Sequence, residues 1–263
     1  MRFTVGYTIF NKVQLIPKII WGIKDAFNEE DEIIFLFDNC TDGSLDAFQQ
    51  LKGYLPVKPK IIITTQDLYE IKANNKILRE ATNDVIVLFQ DDIVNHDKEL
   101  KSKIQRLIET YGNSLGLLGG RSGYELTGDP NLPEKSYGRA SNWEHLEKQY
   151  GERLPEGGSK ERTILNRGPV VFTRQLLNEV GYFDEELYPQ WGDDMDYCCR
   201  AKFKYGKKNV VFQCNVESQL RWGTTHSGKS KVQVSRVINK NWDLFISRWG
   251  EDLRKNYENI VKS

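Results

Sequence analysis

Apolar residues in the first third of the chain fall into short unbroken runs, separated by longer stretches of helical period. The runs at 3–9, 32–37, 60–64 and 84–89 read as strands, and the Val, Ile and Phe of the last mark a strand buried on both faces. Between them, the segments 14–27, 44–51 and 69–81 carry the spacing of amphipathic helices. Strands alternating with helices over short connections predict a parallel, doubly wound sheet, because parallel neighbours need a crossover between them. A helix at 98–111 and a short strand at 115–118 continue the series.

The pattern then breaks. From 119 to 164, Gly, Pro and charged residues dominate, punctuated by Tyr124, Tyr137, Trp143 and Tyr150. So long a stretch inside a compact chain reads as a functional insertion or lid. Regularity returns with a strand at 168–172, helices at 174–180 and 195–205, and a strand at 210–214. The segment 232–261 is mostly amphipathic helix, with Trp242, Phe245, Ile246 and Trp249 on one side. No internal repeat is present.

Composition narrows the function classes. The 37 basic and 37 acidic residues balance, which argues against a nucleic-acid grip built on bulk charge. Cys40, Cys198, Cys199 and Cys214 contain no Cys-x-x-Cys pair, so they read as reduced thiols packed in a cytosolic protein. The opening residues lack the apolar core of a signal peptide, and no run approaches the ~20 residues of a membrane span. The expectation is a soluble, cytoplasmic protein with no transmembrane segment.

In doubly wound sheets, ligands sit beyond the carboxyl ends of the strands. Three polar segments occupy that position, at 8–11, 38–42 and 91–92. Asp91 and Asp92 end a buried strand abruptly; they are either a solvated strand end or the oxygen ligands of a divalent cation carrying phosphates. Asp38 opens a segment that forms turns readily, or it accepts hydrogen bonds from a base or ribose. Asp193, Asp194 and Asp196 follow Trp191-Gly192 at a helix start, where one or two acids complement the helix dipole and a third asks for more. One of them, facing Asp91 and Asp92 across a cleft, could act as a general base, while Asp196 faces elsewhere and reads as structural. His226, near Lys229, is either a surface histidine or part of a loop that holds a metal-bound diphosphate. The Gly-Lys-Ser at 228–230 lacks the context of a P-loop.

Taken in order, these segments resemble the GT-A nucleotide-sugar glycosyltransferases, most closely the inverting family-2 group, over most of the chain. Tyr7-Thr8-Ile9-Phe10-Asn11-Lys12 is similar to the family's first strand and donor-binding turn. The turn from Asp38 through Asn39, Cys40, Thr41, Asp42 and Gly43 to Ser44 is similar to its Asp-containing turn, which implies a contact from Asp38 to the base. Asn74-Asn75-Lys76-Ile77-Leu78 resembles the Arg-Asn-x-Gly-Leu helix lining the donor, with Asn74 replacing Arg and Ile77 replacing Gly. Gln90-Asp91-Asp92 stands at the Asp-x-Asp position with Gln90 in place of the first acid. The resemblance therefore implies donor contacts from Thr8, Phe10, Asn11, Asp38, Asn75 and Asp91, the last near the ribose. It implies Mn²⁺ or Mg²⁺ on Asp92, with His226 as a late histidine near the metal.

Asn166-Arg167-Gly168-Pro169 and Gly181-Tyr182-Phe183-Asp184-Glu185 resemble the acceptor-side segment. Gly192-Asp193-Asp194-Met195-Asp196, with Arg200 behind it, is similar to Gly-Glu-Asp-x-Asp, whose second acid is the base. That carries over to Asp194, with Asp193 as second candidate, and places Arg167, Trp191 and Gly192 on the acceptor side. Arg248-Trp249-Gly250 resembles a closing Lys-Trp-Gly. The implied fold is a GT-A, Rossmann-like α/β domain with a mostly parallel central sheet, flanking helices, a long acceptor-side insertion and C-terminal helices. Residues 1–118 form its nucleotide-sugar half, 119–230 its acceptor and catalytic half, and 231–263 a helical extension packed on it. The implied reaction is metal-dependent transfer from a nucleoside diphosphate sugar, UDP-sugar favoured, to a glycan or other hydroxyl acceptor with inversion. A retaining GT-A enzyme, a nucleotidyltransferase and a non-catalytic sugar- or nucleotide-binding module are the rivals; Thr8–Lys12 has neither the Gly nor the Arg of a nucleotidyltransferase loop.

Overall fold

A computed structural model describes residues 1–126, 136–141, 152–218, 222–223 and 234–262. The first half alternates as its hydrophobic pattern dictates: β1 (Phe3–Ile9), α1 (Ile16–Ala26), β2 (Glu32–Asp38), α2 (Ser44–Leu51), β3 (Lys60–Thr64), α3 (Tyr69–Glu80) and β4 (Val85–Phe89). β1 lies between β2 and β4, parallel to both, with Tyr7 aligned to Phe35 on one side and Phe89 on the other. The three rings stack across the strands, with centroids 5.6 and 4.8 Å apart. Such cross-strand aromatic contact ties the register of the parallel half to its packing.

β5 (Val94–Asn95), α4 (Leu100–Tyr111) and β6 (Leu115–Gly119) follow, then β7 (Ser122–Leu126), β8 (Ser136–Ser141), β9 (Glu152–Arg153), β10 (Ser159–Glu161) and β11 (Ile164–Asn166). β12 (Val170–Thr173), α5 (Arg174–Val180), α6 (Asp193–Cys199), β13 (Lys208–Phe212), β14 (Val216–Glu217) and α7 (Val234–Lys262) complete the chain. The main sheet runs β10-β13-β6-β12-β4-β1-β2-β3. It is mostly parallel, as expected, but β12 enters antiparallel between β4 and β6, and β10 pairs antiparallel with β13. That reversal brings the start of β12 to the edge where β4 and β6 end; Val170 pairs with both Leu88 and Gly119.

Both sheet faces are covered. On one, Ile16, Ile19, Ile20 and Ile23 of α1, Phe48 of α2 and Ile104 of α4 pack against the stacked rings. On the other, Ile77 and Leu78 of α3, Leu176 of α5, Tyr197 of α6 and Phe245 and Trp249 of α7 pack against Ile86, Leu88 and Phe172. All four cysteines are free, and three of them are buried. No described helix is long and apolar enough to cross a membrane.

The second half departs from its predicted pattern. Within 119–164, β7 and β11 pair antiparallel in a small second sheet where the sequence reads as an irregular insertion. Its strands are short and built of Ser, Gly, Glu and Asn beside single apolar residues, too few for a period to register. The helix expected at 195–205 begins at Asp193 and gives way after Cys199 to a wider, π-type turn over Arg200–Lys204. β13 starts two residues earlier than its apolar run because Asn209 is buried and bonded to Leu117 N, Thr163 O and Cys198 O. In place of several C-terminal helices, the described residues form one, α7. Its Asn241 donates to the carbonyls of Leu187, Gln190 and Trp191, while Arg248 and Trp249 both reach Asp196.

Gly22 shows how closely α1 seats on β5. A Cβ there would lie 2.4 Å from the Asn95 carbonyl oxygen, a backbone atom with little freedom to yield. Asn95 Nδ2 also donates to Gly22 O at 2.9 Å. Gly22→Ala is expected to lower unfolding free energy by about 1–3 kcal/mol, the cost of forcing one methyl into a packed interior, despite alanine's better helix propensity. Urea denaturation measures it; unchanged or increased stability would show that the helix can slide away from the strand.

Candidate active site

The carboxyl ends of β1, β2 and β4 form one polar edge. After β1 the chain turns through Asn11, held at φ 52°, with the Asn11 side-chain oxygen accepting from Thr41 N at 2.8 Å. Asparagine tolerates this left-handed conformation. Thr8, Phe10 and Asn11 are half-buried at the turn, and Asp91 closes onto it: Oδ2 accepts from Phe10 N at 3.1 Å and pairs with Lys12 Nζ at 3.3 Å. Burial pushes the Asp91 carboxyl up to about 7, Lys12 opposes this, and neighbouring Asp92 adds to it. Asp92 is raised as well, first by burial, against the attraction of Arg121 and Lys12 and with repulsion from Glu70. Thr8, Phe10, Asn11, Asp91 and Asp92 thus occupy one corner.

Asp38 ends β2, and its carboxylate is engaged by the protein. Oδ1 accepts from Thr64 Oγ1 at 2.9 Å and Leu68 N at 2.8 Å, and Oδ2 from Tyr69 N at 2.9 Å. These bonds fix the start of α3. Asn75 is not brought to this edge. Fully buried, it donates to Phe183 O and Glu185 Oε1 and accepts from Phe183 N, so both ends of its amide hold the 183–185 turn.

A second polar group faces that edge from the start of β12 and of α6. Trp191 at φ 79° and Gly192 at φ 86° turn the chain into α6. Glycine takes that conformation freely; a tryptophan needs support, which comes from Asn241 on its carbonyl and from the Trp242 ring 6.0 Å away. The turn sets Asp193 inward, completely buried, and Asp194 at the rim with 14% of its side chain exposed. Arg167, 7% exposed, lies among the acids: NH1 bonds Asp193, NH2 reaches Glu70 at 3.1 Å, and Nε stands 3.9 Å from Asp194. The backbone N–H groups of Arg167 and Met195 donate to the two Asp194 oxygens at 3.3 and 2.9 Å. Asp196 instead accepts from Arg200, Arg248 and Trp249, as the structural reading of this residue requires.

One guanidinium cannot neutralise three carboxylates. Burial pushes Asp193 up to about 8, Arg167 opposes the rise, and Asp194 and Glu70 reinforce it. Burial alone would lower Arg167, but Asp193, Glu70 and Asp194 together raise it above the ordinary arginine value. Asp193 Oδ1, Gln90 Oε1 and Arg167 Nε are buried without hydrogen-bond partners among the described residues. Glu70 links the group to the corner at the end of β4, because its other oxygen accepts from Gln90 Nε2. Glu70 and Arg121 are charges at this edge that motif spacing does not single out; each is ordinary in sequence and is brought to the carboxylates only through the crossing of strands.

The corner suits a hard divalent cation. Asp92 offers carboxylate oxygen at a strand tip where burial and neighbouring acids disfavour its charge, a conflict that a cation relieves. Among the described residues no three His, Cys, Asp or Glu side chains converge as a cage. A cation here would therefore take few protein ligands and complete its shell from phosphate and water. His226, the second expected metal ligand, lies outside the described residues, as does Trp143.

Comparison with known proteins agrees with this fold. The fold is similar to that of a mannosyltransferase, PcManGT from Pyrobaculum calidifontis, solved with GDP-Man and Mn²⁺, at 16% identity and a TM-score of 0.55. That match covers 80% of this chain, which spans about half (54%) of the mannosyltransferase. It is also similar to the first 349 residues of S. aureus TarS solved with UDP, at 16% identity and a TM-score of 0.57, over 95% of this chain and 72% of that one. A search of curated proteins finds no match. Residues 4–163 match the model of one family, a stretch that holds the whole polar edge from β1 through Asp92 and ends just before the strand that leads to Arg167. By that match the chain belongs to glycosyl transferase family 2.

Proposed function

We propose that the chain moves a sugar from a nucleoside diphosphate sugar to an acceptor hydroxyl with inversion, with Asp194 as general base. The observation that carries this reading is the division between the two adjacent acids. Asp193 is locked inside against Arg167, whereas Asp194 stands at the rim with both oxygens aligned by backbone N–H groups. A base must reach an incoming hydroxyl, and it works best when its orientation is fixed beforehand.

The donor lies along the corner of Thr8, Phe10, Asn11, Asp91 and Asp92, its diphosphate toward Asp92. Asp92 would hold Mn²⁺ or Mg²⁺, which would supply Lewis-acid charge to the leaving diphosphate. Asp91 keeps the β1 turn in place through Phe10 N and Lys12. The acceptor enters over Trp191 and Gly192, and its hydroxyl gives a proton to Asp194 as it attacks the anomeric carbon from the face opposite the leaving diphosphate. Arg167 holds Asp193 and leaves Asp194 the outer position. A structural neighbour solved with GDP-Man and Mn²⁺ and another with UDP support a nucleotide donor and a metal.

Replacing Asp194 by Asn keeps the shape and removes the proton acceptor. Transfer is expected to fall ~10²–10⁴-fold, the usual worth of general-base help, with nucleotide affinity kept. A variant with normal turnover would move the base elsewhere, and anomeric analysis of the product by NMR reads inversion directly. Thermal unfolding with UDP, GDP and their sugars is expected to show a rise that needs Mn²⁺ or Mg²⁺ and is lost in Asp92→Asn or with EDTA. A rise indifferent to metal would sink the role of Asp92.

Proton binding gives an independent check. Asp193 is raised well above the 3.8 of an unfolded aspartate, so the folded state holds its proton more tightly. Stability from this group is therefore full below pH ~4 and declines as pH rises toward about 8. Asp193→Asn is expected to flatten that decline in denaturant titrations at several pH values. An unchanged slope would mean that Asp193 is ionised throughout.

A further inference from the structure

We propose that Glu70 is a positioning residue for the transfer reaction, holding Arg167, and through it Asp193 and Asp194, in fixed relation to the acidic tip of β4. The inference rests on the reaction proposed above and adds a residue that no motif in the chain marks.

Glu70 stands in the first turn of α3, immediately after Tyr69. Tyr69 is held at φ 55°, a conformation that costs a bulky residue ~1–3 kcal/mol and persists only where the surroundings impose it. Asp38 imposes it by taking the N–H groups of Leu68 and Tyr69, and the Tyr69 ring meets Tyr188 edge-on at 5.7 Å. The position of Glu70 is thus set by backbone contacts that do not involve its own side chain. Its two oxygens then serve two different segments: Oε1 accepts from Gln90 at the end of β4, and Oε2 pairs with Arg167 NH2 in the link between β11 and β12, at 3.1 Å. Gln90 suits this arrangement because an amide can donate to Glu70, whereas a carboxylate at 90 would repel it. On its other arm, Arg167 bonds Asp193. The guanidinium is clamped between Glu70 and Asp193, and a planar fork held from two sides has one orientation. That orientation carries Arg167 N and Nε toward Asp194 Oδ2.

Glu70→Gln keeps size and leaves the Asp38 contacts of α3 intact, while removing the charge that holds Arg167. Steady-state kinetics of Glu70→Gln, Arg167→Lys and the double variant test the proposal, with metal-dependent donor turnover as the assay. Glu70→Gln is expected to lower kcat about tenfold or more, in line with the penalty for misplaced catalytic groups, with donor KM and nucleotide affinity within about twofold. The double variant is expected to be no slower than the poorer single one, because both substitutions undo the same clamp. Wild-type kcat in Glu70→Gln, a loss confined to donor KM, or losses that multiply in the double variant would each overturn the proposal. A wild-type protein that turns over no donor would instead defeat the underlying reaction, a result told apart by the silence of the reference enzyme itself.

Discussion

The active-site half of this protein is organised around one guanidinium surrounded by three acids. Arg167 is nearly sealed from solvent, and Glu70, Asp193 and Asp194 approach it from α3 and α6. Breaking a buried pair of this kind by deleting one partner costs ~3–5 kcal/mol, because the remaining charge has nowhere to go. The fold meets the demand with a reversed strand. Were β12 parallel to its neighbours, its start would lie at the far end of the sheet and Arg167 with it. Entering antiparallel between β4 and β6, it delivers a cation to the edge where the parallel strands deliver their acids.

Around that centre the acids differ by partner. Asp91 and Asp193 are each turned onto a basic side chain and each raised by burial. Asp194 instead has its oxygens held by the backbone N–H groups of Arg167 and Met195, and Asp92 lies in the field of Arg121, Lys12 and Glu70. Among the described residues, the non-glycine residues at positive φ are Asn11, Asn39, Tyr69 and Trp191, all in turns around this edge. Strain of that sort collects where a rigid scaffold must aim a few groups accurately.

The parallel half was legible because its strands are long apolar runs with helices of clear period between them. Phe3–Ile9 and Lys60–Thr64 end where their patterns end. The small second sheet was not, since Ser122 to Leu126 pairs through its backbone and has little apolar contrast to announce it. Among site residues, the carboxylates at strand and helix ends stood out because charge there is costly without a purpose. The placement of Asp38 and Asn75 was less visible. Both were expected at the donor, and the folded chain engages Asp38 with the start of α3 and Asn75 with the 183–185 turn. A hydrogen-bond partner 31 or 108 residues away leaves no trace in local spacing. Glu70 was invisible for the same reason.

The attachment of α7 bears on how such domains can be recombined. Asn241 gathers three carbonyls of the segment leading to Gly192, and Arg248 and Trp249 hold Asp196 behind the acids. The helix lends the 187–196 segment its shape without supplying Asp193 or Asp194. A chimaera that borrows this segment from a relative but keeps its own terminal helix would join a loop to a clamp cut for another backbone. The segment and the helix are one structural unit separated in sequence, and they are best exchanged together.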